Sequence, residues 1–344
     1  MKITEKSTEN YTDITLTNEA GLTLTLCSSG ASIREIKTPD ATGEAVVVTM
    51  RPADEQTFLT TYYGKTIGRT AGRIANAAFT IDGKTAQLQK NNKGIDNLHG
   101  GASGLHARIF AYEFVKADAF TDVVFTYFSP DGEGGYFGNV QFTVTYRVWE
   151  NENRFSMIYD AVTDVPTLIN LTNHVYLNVS GNMREPAAEH TLTIAAHRKA
   201  KLNERLIVEG IEPVTPATDF TSPRKIGEKI GEAEVQQYTQ GYDHVYFLDK
   251  PGLDTAACTL SSAKSGITLT VRTTSPCVVF YSNSMPKAGM KVLPNGQTDE
   301  KYIAACLECE RFSDGYAAHP ELCAITTPAA PYHEETEFSF TVTK

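Results

Sequence analysis

Positive charge is scarce in this sequence of 344 residues: 31 Lys and Arg stand against 41 Asp and Glu, a formal net charge of −10. No run of basic residues overrides that average, so a phosphate backbone finds no cationic surface and nucleic acid is not an expected partner. Long apolar runs are also missing. None approaches the ~20 residues of a membrane-spanning helix, and residues 1–18 are too polar for a signal peptide. The expectation is a soluble, cytoplasmic protein that makes no use of a membrane. Cysteine is sparse: Cys27, Cys258, Cys277, Cys306, Cys309 and Cys323 show no framework spacing, which fits reduced thiols. The pair Cys306 and Cys309 does not read as a zinc site, because residues three apart on a strand face opposite ways. Helical periodicity is limited to residues 53–60 and 226–237, both peripheral. No Pro/Gly-rich linker, low-complexity stretch or fixed-period repeat divides the chain, which argues against a propeller or solenoid and makes one domain spanning residues 1–344 the economical reading.

What the sequence has in abundance is alternation of period two. Leu22 to Leu26 and Phe338 to Val342 alternate apolar with polar side chains, and Gly30 to Asp40 looks like a strand ending in a turn. Val140, Phe142, Val144, Tyr146 and Val148 alternate with Gln141, Thr143, Thr145 and Arg147 over a long half-buried strand. Phe79 to Leu88 reads as a hairpin about Asp82-Gly83, a dipeptide that accepts the positive φ angles of a tight loop. The predicted fold class is all-β, with large antiparallel sheets stacked as a sandwich.

The stretch from Asn170 to Gly181 predicts a strand with two unlike faces. Leu171, Val175, Leu177 and Val179 point one way, while Asn170, Thr172, His174, Tyr176, Asn178 and Ser180 point the other. An imidazole, a phenol, a hydroxyl and amides about 7 Å apart suit a ligand covered with hydroxyl groups, such as a sugar. The competing reading leaves that polar side in water.

Other candidates are spread along the chain. Gly68 to Asn76 sets Arg69 and Arg73 among small residues, where a guanidinium grips hydroxyls or a carboxylate, or forms a structural salt bridge. His99 precedes Gly100 and Gly101 in an amide-rich loop, either functional or merely solvated. Asp243 and His244 stand at the start of an apolar strand, where a binding role competes with an Asx-type cap. Glu308 interrupts the apolar stretch from Ile303 to Phe312, with Glu310 on the same face and Arg311 on the other. A buried carboxylate there is either at work or paired with an arginine.

In this order the motifs resemble the aldose 1-epimerase (galactose mutarotase) family. The resemblance rests on Gly30-Ala-Ser-Ile33 with Pro39-Asp40, Ile67 to Asn76, Asn97-Leu-His-Gly-Gly101, Asn170 to Tyr176, Gly241-Tyr-Asp-His244, Phe280-Tyr-Ser-Asn283 and Leu307 to Asp314. It implies the family's large β-sandwich and no metal or organic cofactor. Carried over by position, it implies Glu308 as general base and His174 as general acid, with Arg73, His99, Tyr176 and Asp243 holding a monosaccharide. Opening a cyclic hemiacetal removes a proton from the anomeric hydroxyl and delivers one to the ring oxygen, so a base and an acid must flank those atoms. Acidic neighbours such as Glu308 or Asp243 are expected to favour the imidazolium form of His174. Gly72 stands where the family often has Asn, and Val279 where a Gln is expected, so groups able to contact sugar hydroxyls are missing. Galactose or glucose is the default substrate. Alternatives are a sugar-phosphate epimerase, which needs a cluster of cations, a binding protein without catalysis, and a glycosidase, which pairs two carboxylates.

Overall fold

Strong alternation over ten residues at a time builds the largest layer. The computed structural model describes residues 1–313, 323 and 325–343. Its nine-stranded sheet runs in the order Ala111–Lys116, Phe120–Ser129, Val140–Trp149, Arg154–Thr163, Tyr332–Val342, Ile267–Thr273, Cys258–Ser261, Thr191–Ile194 and Arg224–Lys225. Every one of its ladders is antiparallel. Val140, Phe142, Val144, Tyr146 and Val148 are fully buried, as period two requires of a strand with one dry face.

Two five-stranded antiparallel sheets complete the layers. One holds the N-terminal strands from Lys2–Ser7 to Ala45–Val47. The other runs Val208–Pro213, Arg198–Leu202, Asp243–Phe247, Cys277–Tyr281 and Cys306–Glu310. A common apolar core joins all three, drawing Leu24 and Ile36 from the first, Val144 and Phe338 from the nine-stranded sheet, and Tyr246, Val278, Phe280 and Leu307 from the last. This is the antiparallel sandwich that the alternation predicts.

The peripheral elements fall where expected. Glu55–Thr60 is a short helix, its first turn capped by the Asp54 carboxylate, which accepts from the Thr57 N–H. Residues 226–237 hold only a 3-10 turn, Ile226–Glu228, and one helical turn, Ala233–Gln236. The hairpin pairs Ala78–Ile81 with Lys84–Gln87, with Asp82 at φ 50° and Gly83 at φ 75°. Among the described residues no helix is long and apolar enough to cross a membrane.

The stretch 170–181 departs from expectation. It is an extended segment that forms only two short ladders, Thr172–Asn173 against Thr66–Ile67 and Tyr176–Leu177 against Thr49–Met50. Residues 170–181 are all buried, so the polar side does not face water. Leu171, Val175, Leu177 and Val179 enter the core as predicted. The amides of the other side serve the fold. Asn178 Nδ2 donates to the carbonyls of Glu185 (2.8 Å) and Ile303 (2.6 Å), and Ser180 Oγ donates to Asn178 Oδ1 (2.6 Å). Asn170 Nδ2 donates to Ser313 Oγ (3.1 Å), which in turn donates to the Ala71 carbonyl (2.8 Å). Burial without partners costs a polar group several kcal/mol at most and about 1–3 kcal/mol in measured cases, so these amides are held by carbonyls that no sheet ladder uses.

Candidate active site

The last five-stranded sheet turns one face to the core and the other to a cavity, and register decides which side chains share that cavity. Val245 pairs with Val279 and Val279 with Glu308; one row away, Asp243 pairs with Tyr281 and Tyr281 with Cys306. Side chains of directly paired residues lie on one face. Glu308, Glu310, Val279, Val245, Tyr281 and Asp243 therefore line the cavity, while Cys309 and Leu307 enter the core. Arg311 points away and pairs with Glu334, as the alternation implies.

Opposite this wall the 170–181 segment brings His174 and Tyr176. The His174 main chain is pinned at both polar groups, its N–H donating to the Lys65 carbonyl (2.9 Å) and its carbonyl accepting from the Gly64 N–H (2.8 Å). Its ring lies nearly parallel to those of Tyr176 (centroids 5.0 Å apart) and Tyr62 (6.2 Å). Nε2 of His174 is 3.7 Å from Oε1 of Glu308, and Nδ1 is 3.5 Å from Sγ of Cys306.

A third wall comes from a short ladder in which Leu98 pairs with Arg73. The Gly72 N–H donates to Nδ1 of His99 (3.2 Å), so the proton of the neutral His99 ring sits on Nε2. His99 has φ 53°, a left-handed conformation that costs a non-glycine residue about 1–3 kcal/mol. Gly100 after it is obligatory: at φ 78°, a Cβ would lie 2.2 Å from the Gly68 carbonyl oxygen. Arg73 Nη2 reaches to 3.6 Å from Asp243 Oδ2. The resulting cavity of ≈ 200 Å³ is lined by all six residues singled out from the sequence: Arg73, His99, His174, Tyr176, Asp243 and Glu308.

The two arginines part company. Arg69 is buried, and its guanidinium donates to the carbonyls of Phe137 (2.9 Å), Gly138 (3.1 Å), Ser129 (3.1 Å) and Pro130 (2.9 Å). It braces the loop at residues 129–138, and Arg73 alone of the two reaches the cavity. His244 and Asp243 separate likewise. Asp243 borders this cavity as well as a neighbouring one shared with Lys199 and Glu234, whereas His244 borders the neighbouring one. Asp314, within the last motif, lies outside the described residues.

The structure corrects the expected charge state of His174. Burial among aromatic rings pushes its imidazole down to about 4, the loss of hydration outweighing a backbone hydrogen bond that favours the charged form. The resting site thus holds neutral His174, not imidazolium, at neutral pH. His99 is held well below the usual histidine range by burial first, then by the neighbouring His174 and Arg73.

Some lining residues carried no sequence signal. Tyr62 sits between elements without alternation, and its ring meets His99 edge-on (4.9 Å) as well as His174. Leu202, Leu206 and Met285 complete the apolar side of the cavity. The Met285 N–H donates to the Tyr281 hydroxyl (3.1 Å). Gly72 and Val279, the two departures from the family pattern, both border the cavity.

The family model described as aldose 1-epimerase matches residues 12–339. The chain belongs to the aldose 1-epimerase family. It is 32% identical to the aldose 1-epimerase of Escherichia coli K12 over 345 residues, covering 96% of this chain and 95% of that protein. It is 31% identical to the galactose mutarotase of Mus musculus, covering 93% and 92%. Among solved structures, the GalM/aldose epimerase homologue from C. elegans superposes with a TM-score of 0.85 at 26% identity, over 96% of this chain and 99% of that one. The galactose 1-epimerase of Lactobacillus acidophilus shares the fold with a TM-score of 0.84 at 21% identity, over 100% and 99%. The chain is thus an isomerase of the epimerase class, from a family that acts on sugars.

Proposed function

We propose that this aldose 1-epimerase family member interconverts the α and β anomers of a free hexose such as galactose or glucose. The observation that carries the reading is the 3.7 Å approach of His174 Nε2 to Glu308 Oε1 at the wall of a cavity sized for one monosaccharide. The anomeric hydroxyl and ring oxygen of a pyranose share one carbon, so an acid and a base this close touch both.

Glu308 takes the proton of the anomeric hydroxyl while His174 delivers one through Nε2 to the ring oxygen. The C1–O5 bond breaks, the open aldehyde turns about C1–C2, and closure on the other carbonyl face runs the transfers in reverse. Because burial depresses the pKa of His174, its imidazolium is scarce but a strong acid, which favours donation to a weakly basic ether oxygen. Arg73, His99 and Asp243 offer donors and acceptors to the remaining hydroxyls, and Tyr176 gives the ring a face to rest on.

A sugar-phosphate substrate fits less well, because the second cation such a clamp needs is Arg69, which is committed to carbonyls. The test is polarimetry of freshly dissolved single anomers of a panel of hexoses, with glucose 6-phosphate alongside. Faster decay of optical rotation for free hexoses, abolished in Glu308→Gln, is expected. Binding of sugar in a calorimeter with no acceleration for any anomer would reduce the protein to a sugar binder.

A further inference from the structure

The alternation that places Glu308 in the cavity places Cys306 on the same face of the Cys306–Glu310 strand, against the ring of His174. Imidazole, thiol and carboxylate therefore converge. A ligand atom from each of His174, Cys306 and Glu308 lies within 4.8 Å of the other two, and all three residues are buried. We propose that these three side chains form a binding site for a borderline-soft divalent cation of the zinc class, and that occupation of the site shuts off the acid and base of the reaction.

The donor set selects the ion. Magnesium and calcium take oxygen ligands, whereas one nitrogen, one sulfur and one oxygen suit zinc or cobalt. The spacing is close to what one ion demands: bonds of about 2.3 Å to sulfur and 2.0 Å to nitrogen at a tetrahedral angle set those atoms roughly 3.5 Å apart. Cys306 Sγ and His174 Nδ1 are 3.5 Å apart. That ring nitrogen is Nδ1; the Glu308 carboxylate, now nearest Nε2, shifts toward the ion to complete three protein ligands. Two of the three ligands, His174 and Glu308, line the cavity, so the ion and small molecules reach the site from that side. Charge balances as well. The ion displaces the thiol proton to solvent, forming a sulfur–metal bond, and thiolate plus carboxylate neutralise the dication.

The inhibitory half of the proposal rests on the reading of His174 and Glu308 as acid and base. A cation bound to the Glu308 carboxylate and to Nδ1 of His174 takes the lone pair that would accept the anomeric proton and prevents the ring from becoming the imidazolium acid. Metal and sugar then compete for one place.

The metal half is tested without any turnover. The reduced, metal-free full chain is titrated with Co²⁺ and followed by absorption. The expected result is one equivalent bound, with a near-ultraviolet thiolate-to-cobalt band and visible bands of four-coordinate cobalt. Cys306→Ser should lose the near-ultraviolet band and weaken binding by at least the ~10–100-fold that follows loss of even an outer partner of a metal ligand. Cys309→Ser, on the opposite face, should keep the band. His174→Ala supplies a second ligand deletion should the serine variant fold poorly. Absence of the band in the wild type, or its persistence in Cys306→Ser, overturns the site.

Inhibition is read separately. Zn²⁺ should slow mutarotation, chelator should restore it, and raising the sugar concentration should raise the half-inhibiting Zn²⁺ concentration. Unchanged mutarotation at saturating Zn²⁺ overturns the switch. A cobalt band in a protein that accelerates no anomer would refute the proposed function and leave the metal site standing.

Discussion

His174 Nε2 and Glu308 Oε1 stand 3.7 Å apart, although 134 positions of sequence separate the two residues and they arrive on unrelated elements. If they act as one acid/base unit, removing either should cost nearly what removing both costs. Glu308→Gln and His174→Asn should each lower kcat by about 10²–10⁴-fold with smaller changes in KM, and the double variant should fall little further. Rates from polarimetry of a single anomer check this; strictly multiplicative losses would mean independent roles.

The depressed pKa of His174 fixes the sign of a pH effect. A base pushed down to about 4 by burial loses its proton as pH rises through that value, so above it the imidazolium fraction falls tenfold per unit. Values of kcat/KM measured between pH 6 and 8 should decline toward high pH with a slope approaching one decade per unit. A flat profile would instead give neutral His174 a hydrogen-bonding role only.

The two arginines should fail in different ways. Arg73 lines the cavity beside Asp243, so Arg73→Met should raise KM by roughly 10–100-fold, the worth of a lost charge-assisted hydrogen bond, with an almost unchanged urea midpoint. Arg69 holds four carbonyls, and Arg69→Met strands them. The expected loss is about 3 kcal/mol or more in unfolding free energy. Equal effects of the two variants on stability would contradict the assignment.

Acid should unfold the protein through its buried histidines. His190 is fully buried, both ring nitrogens are without hydrogen-bond partners among the described residues, and burial pushes it down to about 3. Its folded pKa lies below the unfolded value near 6.5, so the unfolded chain binds the extra proton. The stability it contributes is complete above about 6.5 and is lost as pH falls toward the folded value. Between pH 7 and 5 that amounts to about 2 kcal/mol. His190→Leu should therefore lose less stability over this interval than the wild type in urea titrations, and parallel losses would refute the argument. His106 and His244, each pushed down to about 4 by burial, add to the same trend.

Alternation is a local property, and whatever depends on it was present in the sequence. The antiparallel strands, the inward face of Val140 to Val148, the shared face of Glu308 and Glu310, and the opposed faces of Cys306 and Cys309 follow from period two alone. The ordered motifs were enough to point to the family. What period two does not encode is which distant segment covers a face and how dry the contact becomes. Residues 170–181 alternate like a surface strand, yet in the folded chain all of them are buried and the amides become braces. Arg69 and Arg73 sit in similar local sequence, and only the loop at residues 129–138 separates a brace from a cavity-lining group. The charge of His174 was decided the same way: a neighbouring carboxylate can be read from motifs, but the removal of water that holds the ring neutral exists only once Tyr62, Tyr176 and Cys306 have closed around it.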